Sequence, residues 1–238
     1  MFDNKEVEKE DNHIIAFNKI LECIDLTSLN DNDTEESIQN LCVFAKNIRA
    51  SINKNGIASV CVYPKFAKQV RKELANTGIA VACVAGNFPS GEGDLQIKLN
   101  EVKFALNEGA QEIDYVICKK YIPSAEYDKL FEEVHSVKQI CGAVPLKIIL
   151  ETGELKTIEE IQKGSETAIE AGADFIKTST GKNSVAATPE AAWVMTNAIK
   201  AYHQKTGKII GFKPAGGIST VDDAIIYWSV VEKVLGEK

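Results

Sequence analysis

Six glycines, Gly56, Gly78, Gly109, Gly142, Gly172 and Gly207, each stand just ahead of a short apolar run, at separations of 22, 31, 33, 30 and 35 residues. Glycine takes the left-handed turn just past a helix end without the clash that a Cβ would bring. The runs that follow are IASVCV, IAVACV, QEIDYVI, VPLKIIL, DFIKTS and KIIGFK. They are of strand length, and an earlier run, LECIDL, makes seven strand candidates.

The segments between the runs have helical spacing. From Thr34, apolar residues fall at Ile38, Leu41, Cys42, Ala45 and Ile48, which places them on one face of a helix. Leu95, Leu99, Val102 and Leu106 repeat the pattern after Asp94. Thr188 before Pro189 reads as a helix cap followed by a first-turn proline, and Thr220 opens a last helix.

Strand and helix alternating at about 30 residues imply a parallel sheet with helices outside. Two architectures compete, a doubly wound open sheet and a closed (β/α)8 barrel. No G-x-G-x-x-G follows the first strand, which weakens the dinucleotide-binding version of the open sheet. Polar residues expected at the C-terminal ends of many strands (Asp25, Cys61, Asn87, Asp114, Glu151, Lys177 and Lys213) would converge at one mouth only in a barrel. The expected fold is therefore a TIM (β/α)8 barrel over residues 13–238, preceded by a polar N-terminal extension over 1–12. The eighth βα unit is expected to be missing, because the helix opened by Thr220 is followed only by VLGEK.

The net charge of −7 argues against broad nucleic-acid binding, which needs a basic face. No stretch reaches the roughly 20 apolar residues of a membrane span, and MFDNKEVEKEDN is the opposite of a signal peptide. Cys23, Cys42, Cys61, Cys83, Cys118 and Cys141 are scattered singly, as reduced thiols of a cytosolic protein would be. His13, His135 and His203 are far apart and show no metal-ligand spacing.

Two lysines stand out. Lys177 ends the apolar run of GADFIKTSTGK, and Lys213 ends that of KIIGFKPAGG. A buried ammonium is costly unless paired or neutralised. Attack on a carbonyl needs the neutral amine, yet a free lysine with a pKa near 10.4 is neutral only about once in 2,500 at pH 7. Bringing that pKa to about 7 takes ~4.6 kcal/mol. A second ammonium about 5 Å away supplies ~3.3 kcal/mol at an effective dielectric near 20, and desolvation can add the rest. Lys213 would then stay charged and Lys177 become the nucleophile.

Asp114 lies inside the apolar run IDYVI. It is either half of a structural ion pair, a proton shuttle, or the partner that keeps Lys213 charged. The turns TSTGK and PAGGI follow the two lysines. Glycine turns expose backbone N–H groups that cradle phosphate oxygens, Lys182 adds a point charge, and barrel enzymes often bind phosphate after their last two strands. Cys61 is either a nucleophile or, the better reading, a small buried hydrophobe near the pocket. Asp25 is either a helix cap or turn former or a residue that orders polar groups at the barrel floor or mouth.

These segments resemble the deoxyribose-phosphate aldolases, class I aldolases with a TIM-barrel fold. IDLTSLNDNDT, ASVCVYPKF, NFP, EIDYVI, LKIILETGEL, AGADFIKTSTGK and GFKPAGGI occur in the family's order from residue 22 to about 225. The resemblance implies Lys177 as the Schiff-base lysine, Lys213 as the ammonium beside it and Asp114 in a proton relay. It places Cys61, Asp25 and Thr178 in the substrate pocket, and Gly181, Lys182, Gly216 and Gly217 around the phosphate. The implied reaction is reversible cleavage of 2-deoxy-D-ribose 5-phosphate to acetaldehyde and D-glyceraldehyde 3-phosphate. The imine is the electron sink, so no metal and no organic cofactor is expected. A homo-oligomer, with a dimer favoured, goes with the family. The rival reading is an impaired homologue that binds a sugar phosphate without efficient turnover, because the family's eighth strand contributes to the phosphate site.

Overall fold

The computed structural model describes residues 16–51 and 56–236; the N-terminal extension over 1–12 and His13 lie outside them. A helix α1, described over 16–22, leads into β1 (Asp25–Thr27). There follow α2 (Glu35–Ser51), β2 (Ser59–Val62), α3 (Ala67–Glu73), β3 (Ala80–Ala85), α4 (Leu95–Asn107) and β4 (Glu112–Val116). The chain continues through α5 (Tyr127–Cys141), β5 (Leu146–Ile149), α6 (Ile158–Glu170), β6 (Phe175–Lys177), α7 (Pro189–Thr206), β7 (Gly211–Lys213) and α8 (Val221–Leu235).

All seven expected strands form, each parallel to the next, in the order β1 to β7. The helix starts are where the sequence puts them. Asp94, Thr188 and Thr220 accept hydrogen bonds from the first turns of α4, α7 and α8, each satisfying a backbone donor that the helix leaves free. The six punctuating glycines all have positive φ. One run departs from its reading. LECIDL is not a strand throughout, since Leu21 and Glu22 close α1 and only Asp25 and Leu26 belong to β1.

The sheet is strongly curled. On a flat sheet β1 and β5 would lie roughly 19 Å apart, at about 4.8 Å per strand. Yet Asp25 on β1 and Lys147 on β5 are 3.4 Å apart. The concave side is a barrel interior and the convex side packs on the helices. Val60, Val81, Ile113, Ile148 and Ile176 point outward into the main core, which the helices close with Ile38, Val102, Val134, Ile169 and Met195. Leu29, Cys61, Ala82 and Val84 form a smaller apolar cluster inside.

Among the described residues no strand lies between β7 and β1, so the barrel is an incomplete one with a seam. Side chains cross it: Lys213 Nζ is 2.9 Å from Asp25 and donates to the Cys23 carbonyl at 3.0 Å. Lys182 Nζ donates to the Leu29 carbonyl at 2.6 Å, and Lys19 lies over the Trp228 ring.

Candidate active site

β6 delivers Lys177 into the interior, 6% exposed, and its register puts it beside Lys213 on β7. The two lysines are thus on neighbouring strands as expected, but each has its own carboxylate. Lys177 Nζ donates to Asp114 Oδ2 at 2.6 Å, whereas Lys213 pairs with Asp25. Of the roles open to Asp114, an ion pair is seen, with Lys177 on one oxygen and Lys147 on the other, and not with Lys213.

Asp25 and Asp114 do not sit at the C-terminal ends of their strands. Asp25 opens β1 and Asp114 is the middle residue of β4. They reach the lysines because the tilt of barrel strands brings a low position on one strand level with a high position several strands away.

The sequence reading missed Lys147. This residue of β5 is 3% exposed and pairs in register with Asp114. Its ammonium donates to Asp114 Oδ1 at 3.0 Å, to Glu112, and lies 3.4 Å from Asp25. The signal was available, since VPLKIIL places a lysine in an apolar run just as DFIKTS does. Ser59 was missed too; its hydroxyl donates to Asp25 at 2.7 Å.

The interior therefore holds three ammonium groups (Lys147, Lys177 and Lys213) against three carboxylates (Asp25, Glu112 and Asp114). Burial works to raise the Asp25 carboxyl, but Lys213 and Lys147 outweigh it and hold it well below the usual range. Burial works to lower Lys177, but the Asp114 carboxylate outweighs it and moves the amine up. The ammonium that opposes this is Lys147. Lys177 is thus a charged amine whose proton lies within hydrogen-bond reach of a carboxylate.

Cys61 is fully buried in the interior, and burial, reinforced by Asp114, pushes its thiol up to about 12. It remains a thiol at neutral pH, which is not the thiolate that a nucleophilic role needs. Thr178 is fully buried, with its hydroxyl occupied by the backbone of Ala215, accepting from the N–H at 3.0 Å and donating to the carbonyl at 3.3 Å. It ties the β6 loop to the β7 loop.

Those two loops meet at their glycines. Gly181 and Gly216 both have positive φ, and a Cβ on Gly216 would stand 2.5 Å from the Ala186 Cβ and 3.0 Å from the Gly181 Cα. Gly217, also at positive φ, has open space where a side chain would be. Buried Glu151 takes a left-handed conformation after β5 and accepts from the Thr180 N–H and hydroxyl at 3.1 and 2.7 Å, anchoring the TSTGK turn from below. Asn87, by contrast, shapes its own loop through Ser90 and the Glu92 carbonyl.

The profile of the DeoC/LacD family aldolase matches residues 19–232. The deoxyribose-phosphate aldolase of Homo sapiens is 43% identical over 231 residues, covering 92% of this chain and 73% of that protein. That of Bos taurus is 41% identical with the same coverage. Among solved structures, an aldolase named QR15 superposes with a TM-score of 0.78 at 31% identity, covering 89% of this chain and 87% of that one. A deoxyribose-phosphate aldolase from Aeropyrum pernix, described as a tetramer, gives 0.73 at 26% identity, covering 89% and 83%.

Proposed function

Because the chain belongs to the DeoC/LacD family of aldolases, we propose that it cleaves 2-deoxy-D-ribose 5-phosphate reversibly to acetaldehyde and D-glyceraldehyde 3-phosphate, with Lys177 as the Schiff-base lysine. The observation that carries this reading is the buried contact of 2.6 Å between Lys177 and Asp114. Passing a proton from the ammonium to the carboxylate frees the amine without changing the charge of the pair. That matters because both groups are buried, where an unpaired charge is costly.

The neutral amine attacks the C1 aldehyde, and the proton held on Asp114 helps the oxygen leave as water. The cationic imine then stands where the ammonium stood, opposite the regenerated carboxylate. Cleavage of the C2–C3 bond sends its electrons to the imine, giving an enamine. The Asp114 carboxylate takes the proton of the C3 hydroxyl, which becomes the aldehyde of glyceraldehyde 3-phosphate, and holds it for return to C2. Protonation of the enamine at C2 and hydrolysis release acetaldehyde. No metal and no organic cofactor enters these steps. Lys213 supplies a second positive charge beside Lys177, and Cys61, Asp25 and Thr178 wall the pocket. Gly181, Lys182, Gly216 and Gly217 take the phosphate through backbone N–H groups and one ammonium. Among the described residues no helix is long and apolar enough to cross a membrane. A cytosolic homodimer completes the proposal.

Trapping with acetaldehyde and borohydride, followed by peptide mass spectrometry, tests the chemistry. An adduct confined to Lys177 supports it, and no adduct, or one spread over surface lysines, sinks it. A parallel cleavage assay with deoxyribose 5-phosphate separates turnover from imine formation alone, and light scattering in solution reads the dimer.

A further inference from the structure

Lys147 has no part in the reaction as written above, yet it touches more of the interior charge than any other side chain described. Its Nζ meets Asp114, Glu112 and Asp25, so it joins the Lys177–Asp114 pair to the Asp25–Lys213 pair. The two oxygens of Asp114 are divided, Oδ1 toward Lys147 and Oδ2 toward Lys177. Asp114 is fully buried, so no solvent shares in setting its orientation.

We propose that Lys147 is a positioning residue of the aldolase site, whose ammonium fixes Asp114 by one oxygen and keeps it ionised so that the other can take the proton of Lys177. The proposal rests on the reading of Lys177 as the Schiff-base lysine. Its force is greatest once Lys177 is neutral. Lys147 is then the ammonium left touching Asp114 among the described residues, and it governs where the shared proton resides.

The groups around Asp114 set the direction of the effect. Lys147 faces it from β5, Lys177 from β6, Asp25 from β1 and the Cys61 thiol from β2, with Cys83 near it on β3 and Glu112 reached through Lys147. Burial works to raise the Asp114 carboxyl, and Asp25 pushes the same way; Lys177 and Lys147 outweigh both and hold it down. Without Lys147 the base titrates higher, and activity is lost at a higher pH on the acid side.

The experiment is the pH dependence of deoxyribose 5-phosphate cleavage and of the acetaldehyde–borohydride adduct, on Lys147→Met and Lys147→Arg proteins shown to be folded by circular dichroism. Lys147→Met should move the acid limb up by about one pH unit or more, lower kcat more than tenfold and change KM little, with the remaining adduct still on Lys177. Lys147→Arg should bring the limb back toward that of the parent. Should Lys147→Met not fold, Lys147→Met/Glu112→Gln removes the ammonium together with a carboxylate it would strand, and the same shift is expected. A folded methionine variant with the parent's acid limb overturns the proposal, as does an arginine variant displaced as far as the methionine one. If the parent labels at Lys177 and turns over, such a result removes only the role of Lys147. A parent that never labels at Lys177 removes the functional reading and this one with it.

Discussion

Strands β2 to β6 and strands β1 and β7 belong to one continuous parallel sheet, but their surroundings differ. Every residue of β2 and β5 is buried, as are all but the first of β3, β4 and β6. In β7 all three residues are half-buried, and β1 ends on an exposed one. The wall has a hydrogen-bonded strand on each side; at the seam each strand has one neighbour, and the contacts across are made by side chains. Ile24, Ile209 and Ile226 are exposed nearby, Ile209 at 73%. The wall is held by packing and backbone ladders, and the seam by charge. The proposed chemistry straddles the border, with Lys177 on the last wall strand and Lys213 on the first seam strand.

The sharpest contrast should come from the two lysines. Lys177→Leu is expected to abolish the borohydride adduct and lower kcat/KM by about 10^4-fold. Lys213→Leu should keep the adduct but raise the pH at which it forms, since one positive charge leaves the interior. Equal losses from both, or an unchanged pH profile for Lys213→Leu, would break the division of roles. In stability, Ile148→Ala in the wall should cost ~2–5 kcal/mol in urea denaturation. Phe212→Ala at the seam should cost less than about half of that, because its side chain already meets solvent.

Asp25→Asn strikes the seam contact itself. It should cost about 2 kcal/mol and speed amide exchange in β1 and β7 while leaving β4 and β5 at the global rate. Uniform acceleration would mean that wall and seam open together. The pH dependence follows in sign. Asp25 and Asp114 are held below 3.8 in the folded protein, so their contribution is complete above that value and lost as the pH falls beneath it. Lys147 and Lys177 are held above 10.5, so theirs is complete below that value and lost as the pH rises through the folded one. The thermal midpoint should therefore be level from about pH 5 to 10 and fall outside it; a maximum near neutrality with steep sides would contradict the paired interior. The smallest effect expected is from Gly216→Ala, where the Cβ meets Ala186 and the φ is left-handed. About 1–2 kcal/mol of strain should appear as a raised KM for the phosphorylated substrate, with acetaldehyde trapping unaffected.

What could be read from the sequence was whatever local chemistry dictates. Helix starts at Asp94, Thr188 and Thr220, the glycine turns, and the number of strands follow from residues a few positions apart. Lys177 and Lys213 were visible because a lysine at the end of an apolar run is a local anomaly. The pairing of those lysines was not visible. Asp25 and Asp114 lie low on their strands, and only curl and tilt make them neighbours of Lys213 and Lys177. Lys147 is hidden for the opposite reason: it lies near the start of its strand and not at the end. Glu151 was seen as a strand-end polar residue, but its grip on Thr180 depends on a left-handed turn that its identity as glutamate does not suggest.

The contact between Lys213 and Cys23 joins residues 190 positions apart, whereas every strand pairs with its neighbour in sequence. Bringing ends together grows costlier with the length of chain between them. Relative to a crossover of about 30 residues, closing about 190 costs ~1.6 kcal/mol more on the logarithmic scaling. Each strand pairing therefore closes only one crossover, whereas the link across the seam closes nearly the whole sheet. Because Asp25 and Lys213 belong to that link, the charge arrangement beside Lys177 is completed only when the two ends of the sheet have found each other.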